Sequence, residues 1–266
     1  LAGGVPVVVP CSDYHGFKLR PRALEDAITP RTKWLMLNSP SNPTGAVYSA
    51  AELCELAQVL RRHPQIHVLA DDIYEKLVYD VGFATIAQVA PDLFDRALIV
   101  NGVSKANAMT GWRVGYGAGL VALIRAMNTI QGQTSSHTSS ISQYAAIEAI
   151  AGSQNYIAGF VAEFRERRDL VVGKLNQADG LRCRTPEGAF YAFASCEGVP
   201  GRRATDGRLI TTDTDFAMYL LDQFAVAVVP GSGFMASPYI RISYASSLSE
   251  LERACDRIIA ACAALR

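Results

Sequence analysis

The chain of 266 residues has no net charge, its 25 Lys and Arg being balanced by 25 Asp and Glu. Without a basic excess it lacks the electrostatic footprint of a polyanion binder, so no nucleic-acid partner is expected. Histidine is scarce (His15, His63, His67, His137), and the six cysteines (Cys11, Cys54, Cys183, Cys196, Cys255, Cys262) show neither CxxC pairs nor metal-ligand spacing. That scatter argues for reduced structural thiols and against a metal site. No uninterrupted apolar run reaches the ~20 residues that cross a bilayer, no signal peptide is visible, and no internal repeat occurs. What remains is a composition that is 50% hydrophobic, sufficient for a sizeable core in one or two domains. It agrees with a soluble protein of the cytoplasm, with no membrane partner expected.

The most informative segment follows the apolar run Ala97-Leu98-Ile99-Val100 and reads NGVSKANAMTGWRVGY from Asn101 to Tyr116. It sets Lys105 just past a short buried strand, with Arg113 eight residues on in a glycine-punctuated loop. A lysine after a strand is most often a solvated loop residue. In a cleft, however, its amine can form a Schiff base with a carbonyl compound, and a nearby guanidinium can hold an anionic group of the same ligand.

Two further segments point to the same place. Residues 33–38 form an apolar strand running into Ser39-Pro40-Ser41-Asn42-Pro43-Thr44-Gly45, where Pro43 restricts the backbone of Asn42. Residues 66–71 form another strand, ending in Asp71-Asp72-Ile73-Tyr74-Glu75. Each is compatible with an ordinary strand-to-helix loop, one carboxylate serving only as a cap. Their order decides the matter. A helix near 50–62, opened by the capping box Ser49-x-x-Glu52 and carrying Leu53, Leu56 and Leu60 at helical spacing, separates the first two strands. Alternating strands and helices predict an α/β fold with a three-layer, mostly parallel sheet and right-handed crossovers. Ligands of such sheets bind beyond the carboxyl ends of the strands, where Asn42, Asp71, Tyr74 and Lys105 all fall.

NPTG at 42–45, DDIY at 71–74, SKANAMTGWRVGYG at 104–117 and RISYA at 241–245 together resemble the pyridoxal-phosphate-dependent aminotransferases of fold type I, class I/II, close to the bacterial aspartate aminotransferases. The resemblance runs continuously from Leu1 to the C-terminus. It implies pyridoxal 5'-phosphate as cofactor, with Lys105 as the lysine of the internal aldimine and the proton shuttle. It implies that Asp71 pairs with the pyridine nitrogen, and that Asn42 and Tyr74 hydrogen-bond the phenolic oxygen. Arg113, with help from Ser104, would bind the phosphate; Arg241 would take the substrate carboxylate, and Asn42 also lies on the substrate side. Alone, Arg241 in an alternating strand reads as a surface charge. The implied reaction moves an amino group from an L-amino acid, aspartate above all, to a 2-oxo acid such as 2-oxoglutarate, in a homodimer.

The same resemblance makes the chain an N-terminally incomplete member. Absent are a small-residue phosphate loop, an aromatic that stacks on the pyridine ring, residues that close over substrate, and a tyrosine that reaches the partner subunit. Some relatives place a serine where this chain has Gly102. Other classes remain open at this point: a pyridoxal-phosphate-binding regulatory domain, a cofactor-free fragment, and a lyase of the same fold.

Elsewhere, Val5–Val9 reads as a strand. Residues 1–165 are expected to form the large cofactor-binding domain and 166–266 a smaller α/β domain. Helices are predicted at Leu120–Ile130, Ser142–Ile150, Asn155 to Gln177, 213–224 and Ser249 to Leu265. By composition the polar segment 131–140 reads as a flexible linker; the resemblance implies instead an ordered loop near the dimer interface and cofactor. Arg165-Glu166-Arg167-Arg168 reads as a solvated helix face, and Cys54 and Cys255 as small buried helix residues. Strands are expected at 181–184 and 189–194, and 226–233 reads as a glycine-rich turn, which the resemblance places before the substrate-binding strand.

Overall fold

A computed structural model describes residues 3–266 and divides them into two compact units. The first comprises the residues up to Ser41 together with Ala46–Val161; the second comprises Asn42–Gly45 and Ala162–Arg266. The first unit opens with α1 (Pro21–Ala27), β1 (Trp34–Asn38), α2 (Ala50–Arg62) and β2 (His67–Asp71). The short α3 (Ile86–Val89) follows, then β3 (Ala97–Gly102), β4 (Gly115–Gly119), α4 (Val121–Thr134), α5 (Ser140–Ala151) and the start of α6 (Asn155–Leu175).

Its sheet has the order β1-β2-β3-β4, with β1, β2 and β3 parallel and β4 antiparallel to β3. The ladder aligns Asn38 with Asp71 and Asp71 with Val100, so β1 and β2 end level at their carboxyl ends while β3 continues to Gly102. The core consists of Leu53, Leu56, Ala57 and Leu60 of α2 packed with Val68, Ala70, Ile66, Ile86 and Leu93. That stripe is the helical spacing seen in the sequence, facing the alternately buried residues of β2.

Local chemistry fixes both ends of α2. Ser49 Oγ accepts from the Glu52 amide at 3.2 Å, and Glu52 Oε2 accepts from the Ser49 amide at 2.7 Å. At the other end the Arg96 guanidinium donates to the carbonyls of Leu60, His63 and Ile66 at 2.7, 2.9 and 2.9 Å, satisfying groups that a helix terminus leaves unpaired.

The second unit holds β5 (Arg182–Cys183), β6 (Tyr191–Ser195), α7 (Asp213–Phe224), β7 (Val229–Pro230), β8 (Tyr239–Ser243) and α8 (Leu248–Ala264). Its sheet, in the order β5-β6-β8-β7, is wholly antiparallel. Phe216, Tyr219, Leu220, Ile240, Tyr244 and Ile258 are buried there, and Tyr219 donates its hydroxyl hydrogen to the Ala261 carbonyl at 3.1 Å.

The structure departs from several expectations. Val5–Val9 forms no strand: the segment pairs with nothing in the sheet, and Val5 and Val7 are 87% and 69% exposed. Extended backbone becomes a strand only where a neighbour takes its amide and carbonyl groups. Leu1 and Ala2, which precede that segment, lie outside the described residues. The stretch from Gly115, read as loop, is the antiparallel strand β4, in which small residues let the chain lie close against β3. α4 continues to Thr134 into the segment read as loop. Arg168, expected on a solvated face, is 5% exposed; it donates Nε to Asp169 at 2.8 Å and a terminal nitrogen to the Pro186 carbonyl at 3.3 Å. Cys54 is half-buried, whereas Cys255 is 1% exposed. Within 226–233, read as a turn, Val229–Pro230 forms the short strand β7. Among the described residues no helix is long and apolar enough to cross a membrane.

The capping box yields a direct expectation: Ser49→Ala should lower stability by about 1 kcal/mol, as a lost N-cap does. Chemical denaturation should show the midpoint falling with an unchanged slope.

Candidate active site

Two groups of residues anticipated from the sequence assemble, one in each unit. In the first unit, Asp71 is the last residue of β2, and Tyr74 lies in the turn that follows. That turn is closed by Glu75 N–H to Asp72 O and Leu77 N–H to Tyr74 O, both 2.8 Å. Lys105 occupies the corresponding turn past β3, closed by Ala108 N–H to Lys105 O at 3.1 Å. Its Nζ stands over the Tyr74 ring, 5.7 Å from the centroid. Because β2 and β3 are adjacent and parallel, the two turns are neighbours, and an amine, a phenol and a carboxylate meet at one sheet end.

Lys105 and Ser104 are half-buried, Tyr74 is 3% exposed, and Asp71 is half-buried. Burial pushes the Asp71 carboxyl above its ordinary pKa; its acceptance of the Ile73 amide at 3.2 Å and the charge of Lys105 oppose that rise. Asp72, 4% exposed, is pushed up to about 6, chiefly by burial.

Gly102 explains the tightness behind Lys105. A Cβ there would lie 2.8 Å from the Val114 carbonyl oxygen, 3.1 Å from Gly115 Cα and 3.2 Å from Ile73 Cδ1. The position is closed to a side chain by the backbone of the β3–β4 hairpin. Beneath it Val103, Val114 and Ala146 form a small apolar cluster joined by Met109 and Ala149.

Arg113 is exposed and has φ 57° and ψ 46°, a left-handed conformation unusual for a side-chain-bearing residue. Its guanidinium donates to the Thr110 carbonyl at 3.0 Å. It borders an open cleft of ≈ 470 Å³ lined also by Ser135, Thr138 and Ser139. A cation on strained backbone beside polar residues suits an anionic ligand group.

In the second unit, Arg241 of β8 donates to Asn42 Oδ1 at 2.8 Å. Its guanidinium lies between the rings of Tyr191 and Phe234, 4.7 and 5.0 Å from their centroids. Its buried Nε has no hydrogen-bond partner, a state that costs free energy and suits a planar anion such as a carboxylate. The loop carrying Asn42 is held to this unit at Gly45, whose carbonyl accepts the amides of Glu187 and Gly188, each at 2.9 Å. Gly45 has φ +68°, and a Cβ there would come within 2.3 Å of Pro186 Cβ.

The aromatic walls of Arg241 were not singled out from sequence. Tyr191 lay in an expected strand, and only the register of β6 on β8, with Phe193 opposite Arg241 and Tyr191 opposite Ser243, reveals its place. Phe234 sits in a short 3-10 turn, Gly231–Phe234, where no periodicity marks it.

The family described as "Aminotransferase class I and II" matches residues 1–258. An "Aspartate aminotransferase" of Rhizobium meliloti (strain 1021) is 55% identical over 97% of this chain and 63% of that protein. An "Aspartate/prephenate aminotransferase" of Cereibacter sphaeroides is 54% identical over 100% of this chain and 66% of that protein. Among solved structures, the aspartate aminotransferase of Rhizobium meliloti superposes with a TM-score of 0.95 at 54% identity, covering 98% of this chain and 66% of that one. A double mutant of the Thermus thermophilus aspartate aminotransferase gives 0.88 at 37% identity, with 98% and 65% covered. The chain thus spans just under two thirds of these relatives.

The packing at the β3 terminus predicts that Gly102→Ser destabilises the protein by roughly 1–3 kcal/mol, the usual range for overpacking against backbone. Thermal unfolding of the two proteins checks this; an unchanged midpoint would refute the steric reading.

Proposed function

The chain belongs to the aminotransferase class I and II family, and from that premise we propose that the protein of which it is part is a transaminase using pyridoxal 5'-phosphate. It moves the amino group of L-aspartate or a related amino acid to a 2-oxo acid, 2-oxoglutarate first among them. The observation that carries the reading is the position of Lys105 over Tyr74, beside Asp71, just past the carboxyl ends of the adjacent parallel strands β3 and β2. In this reading the first unit is the large cofactor-binding domain and the second the small domain, working as a homodimer in the cytoplasm.

The residues present fit the cofactor by their chemistry: an amine, a half-buried carboxyl, a phenol and a cation bordering a cleft lined by serine and threonine residues. When bound, pyridoxal phosphate supplies an aldehyde carbon that condenses with amines and a protonated ring that withdraws electrons from it. Lys105 would hold that carbon and would carry the proton at the substrate α-carbon. Asp71 would pair with the pyridine nitrogen, whose positive charge would offset the burial that raises the Asp71 pKa. Tyr74 and Asn42 would donate to the phenolic oxygen, and Arg113 with Ser104 would receive the phosphate. Arg241 takes the substrate α-carboxylate, its unpartnered Nε gaining the acceptor it lacks. The name of the Cereibacter sphaeroides relative makes prephenate a second amino acceptor to test.

Reduction with borohydride after incubation with pyridoxal phosphate, followed by peptide mass mapping, should place one label on Lys105. Lys105→Ala should lose it and all transamination; a variant that keeps a stoichiometric label would overturn the assignment. In the full-length protein, Arg241→Lys should raise KM for every amino-acid substrate roughly ten- to hundredfold, since a charge-assisted hydrogen bond contributes about 1.5–3 kcal/mol. Unchanged KM values would remove Arg241 from carboxylate recognition.

A further inference from the structure

The two turns that carry Lys105 and Tyr74 lie beyond the sheet, where no strand ladder holds them. Each nevertheless has an anchor two residues past its site residue. Asn107, two residues after Lys105, gives both amide hydrogens away: one to the Ala149 carbonyl at 3.1 Å, the other to the Tyr156 hydroxyl at 2.6 Å. Lys76, two residues after Tyr74, donates Nζ to Gln154 Oε1 at 2.6 Å. Gln154 in turn donates Nε2 to the same Ala149 carbonyl at 2.7 Å and reaches the Gly152 carbonyl at 3.3 Å.

Ala149 lies in the last turn of α5, where carbonyls have no intrahelical partner and the helix dipole is negative. Its oxygen is therefore a hub with two side-chain donors, one leading to each turn. Asn107, Lys76 and Gln154 are all half-buried, so these bonds are partly withdrawn from water. The apolar cluster of Val103, Val114 and Ala146, with Ala149 packed against it, fixes the hub against the strand that precedes Lys105.

We propose that Asn107 and Gln154 are positioning residues which clamp the Lys105 turn and the Asp71–Tyr74 turn to the C-terminus of α5 and so set the distance between amine, phenol and carboxylate. The value of such a clamp follows from chemistry's sensitivity to small misplacement: reacting groups held 1 Å out of place lose much of their rate. Neither residue touches the reacting atoms. Gln154 serves as a double-ended strut, accepting from Lys76 and donating to Ala149, a pairing that neither a carboxylate nor an apolar side chain reproduces. The catalytic consequence rests on the transaminase reading above; the clamp itself does not.

The test measures amide hydrogen exchange in the unsubstituted protein, Asn107→Ala, Gln154→Met and Gln154→Glu, all without added cofactor, with thermal midpoints as the control for global folding. Asn107→Ala should speed exchange of the Ala108 amide about tenfold, the scale set by losing one partly buried hydrogen bond. Gln154→Met should do the same for the Glu75 and Leu77 amides. Gln154→Glu keeps the acceptor for Lys76 and should leave Glu75 and Leu77 nearer the unsubstituted rates. In parallel, the rate at which pyridoxal phosphate and borohydride label Lys105 should fall severalfold in Asn107→Ala and Gln154→Met. Unaltered exchange at Ala108, Glu75 and Leu77 would overturn the clamp, and so would faster exchange with unaltered labelling. If Lys105 went unlabelled even in the unsubstituted protein, the transaminase reading would fall, while the exchange rates would still decide the clamp.

Discussion

The parallel register of β1, β2 and β3 is the constraint on which the rest of the first unit depends. Asn38, Asp71 and Val100 stand side by side, so the chain leaves β1 and β2 at one level and β3 just beyond it, at Gly102. Asp71, Tyr74 and Lys105 all lie within a few residues of that line. A slip of one residue in β2 would turn its alternation inside out, bringing Val68 and Ala70 to the half-buried face and sending Asp71 to the core face. The apolar stripe of α2 makes such a slip costly, because Leu56 and Leu60 are wholly buried in the core that Val68 and Ala70 share. Core packing and site geometry are one specification.

Past the sheet, different forces take over. Behind Lys105 the backbones of β3 and β4 approach so closely that Gly102 admits no Cβ. Arg113 accepts a left-handed backbone that most side-chain-bearing residues avoid, and Arg241 leaves a buried nitrogen unpaired. Each of these features opposes folding, and each lies in a segment that carries a chemically distinctive side chain. The large buried cores supply the stability that such local costs draw upon. Asp71 belongs with them: burial makes its ionised form less favourable, while Lys105 pulls in the opposite direction.

The second unit treats its cation differently. Arg241 is framed by Tyr191 and Phe234 and oriented by Asn42, so its guanidinium plane is fixed by two ring faces and one acceptor. Aromatic walls exclude water from the faces of the guanidinium while leaving its edge for hydrogen bonds. That the Asn42 loop belongs to this unit, through Gly45 and the amides of Glu187 and Gly188, is a matter of three-dimensional packing that strand order alone does not disclose.

Much of this was legible in the residues themselves. The helical spacing and capping box of α2, the parallel strands and the family motifs follow from local patterns: a period of 3.6, a side-chain oxygen three residues from an amide, a strand ending in polar residues. These patterns are written within a few residues of each other, so sequence alone determined the elements and named Lys105, Asp71, Tyr74 and Arg241 as candidates. Sequence failed where a partner lies far along the chain. Val5–Val9 has the composition of a strand and no neighbour to pair with; Gly115–Gly119 looks like a loop and is a strand because β3 lies beside it; Arg168 looks solvated and is buried against Pro186. Only the tertiary structure set the Tyr191 and Phe234 walls of Arg241 and the shared Ala149 carbonyl behind the two turns. The physical reason is that hydrogen bonds and burial are properties of pairs, and a pair such as Asn107 and Ala149, 42 residues apart, is set by the fold and by no local pattern.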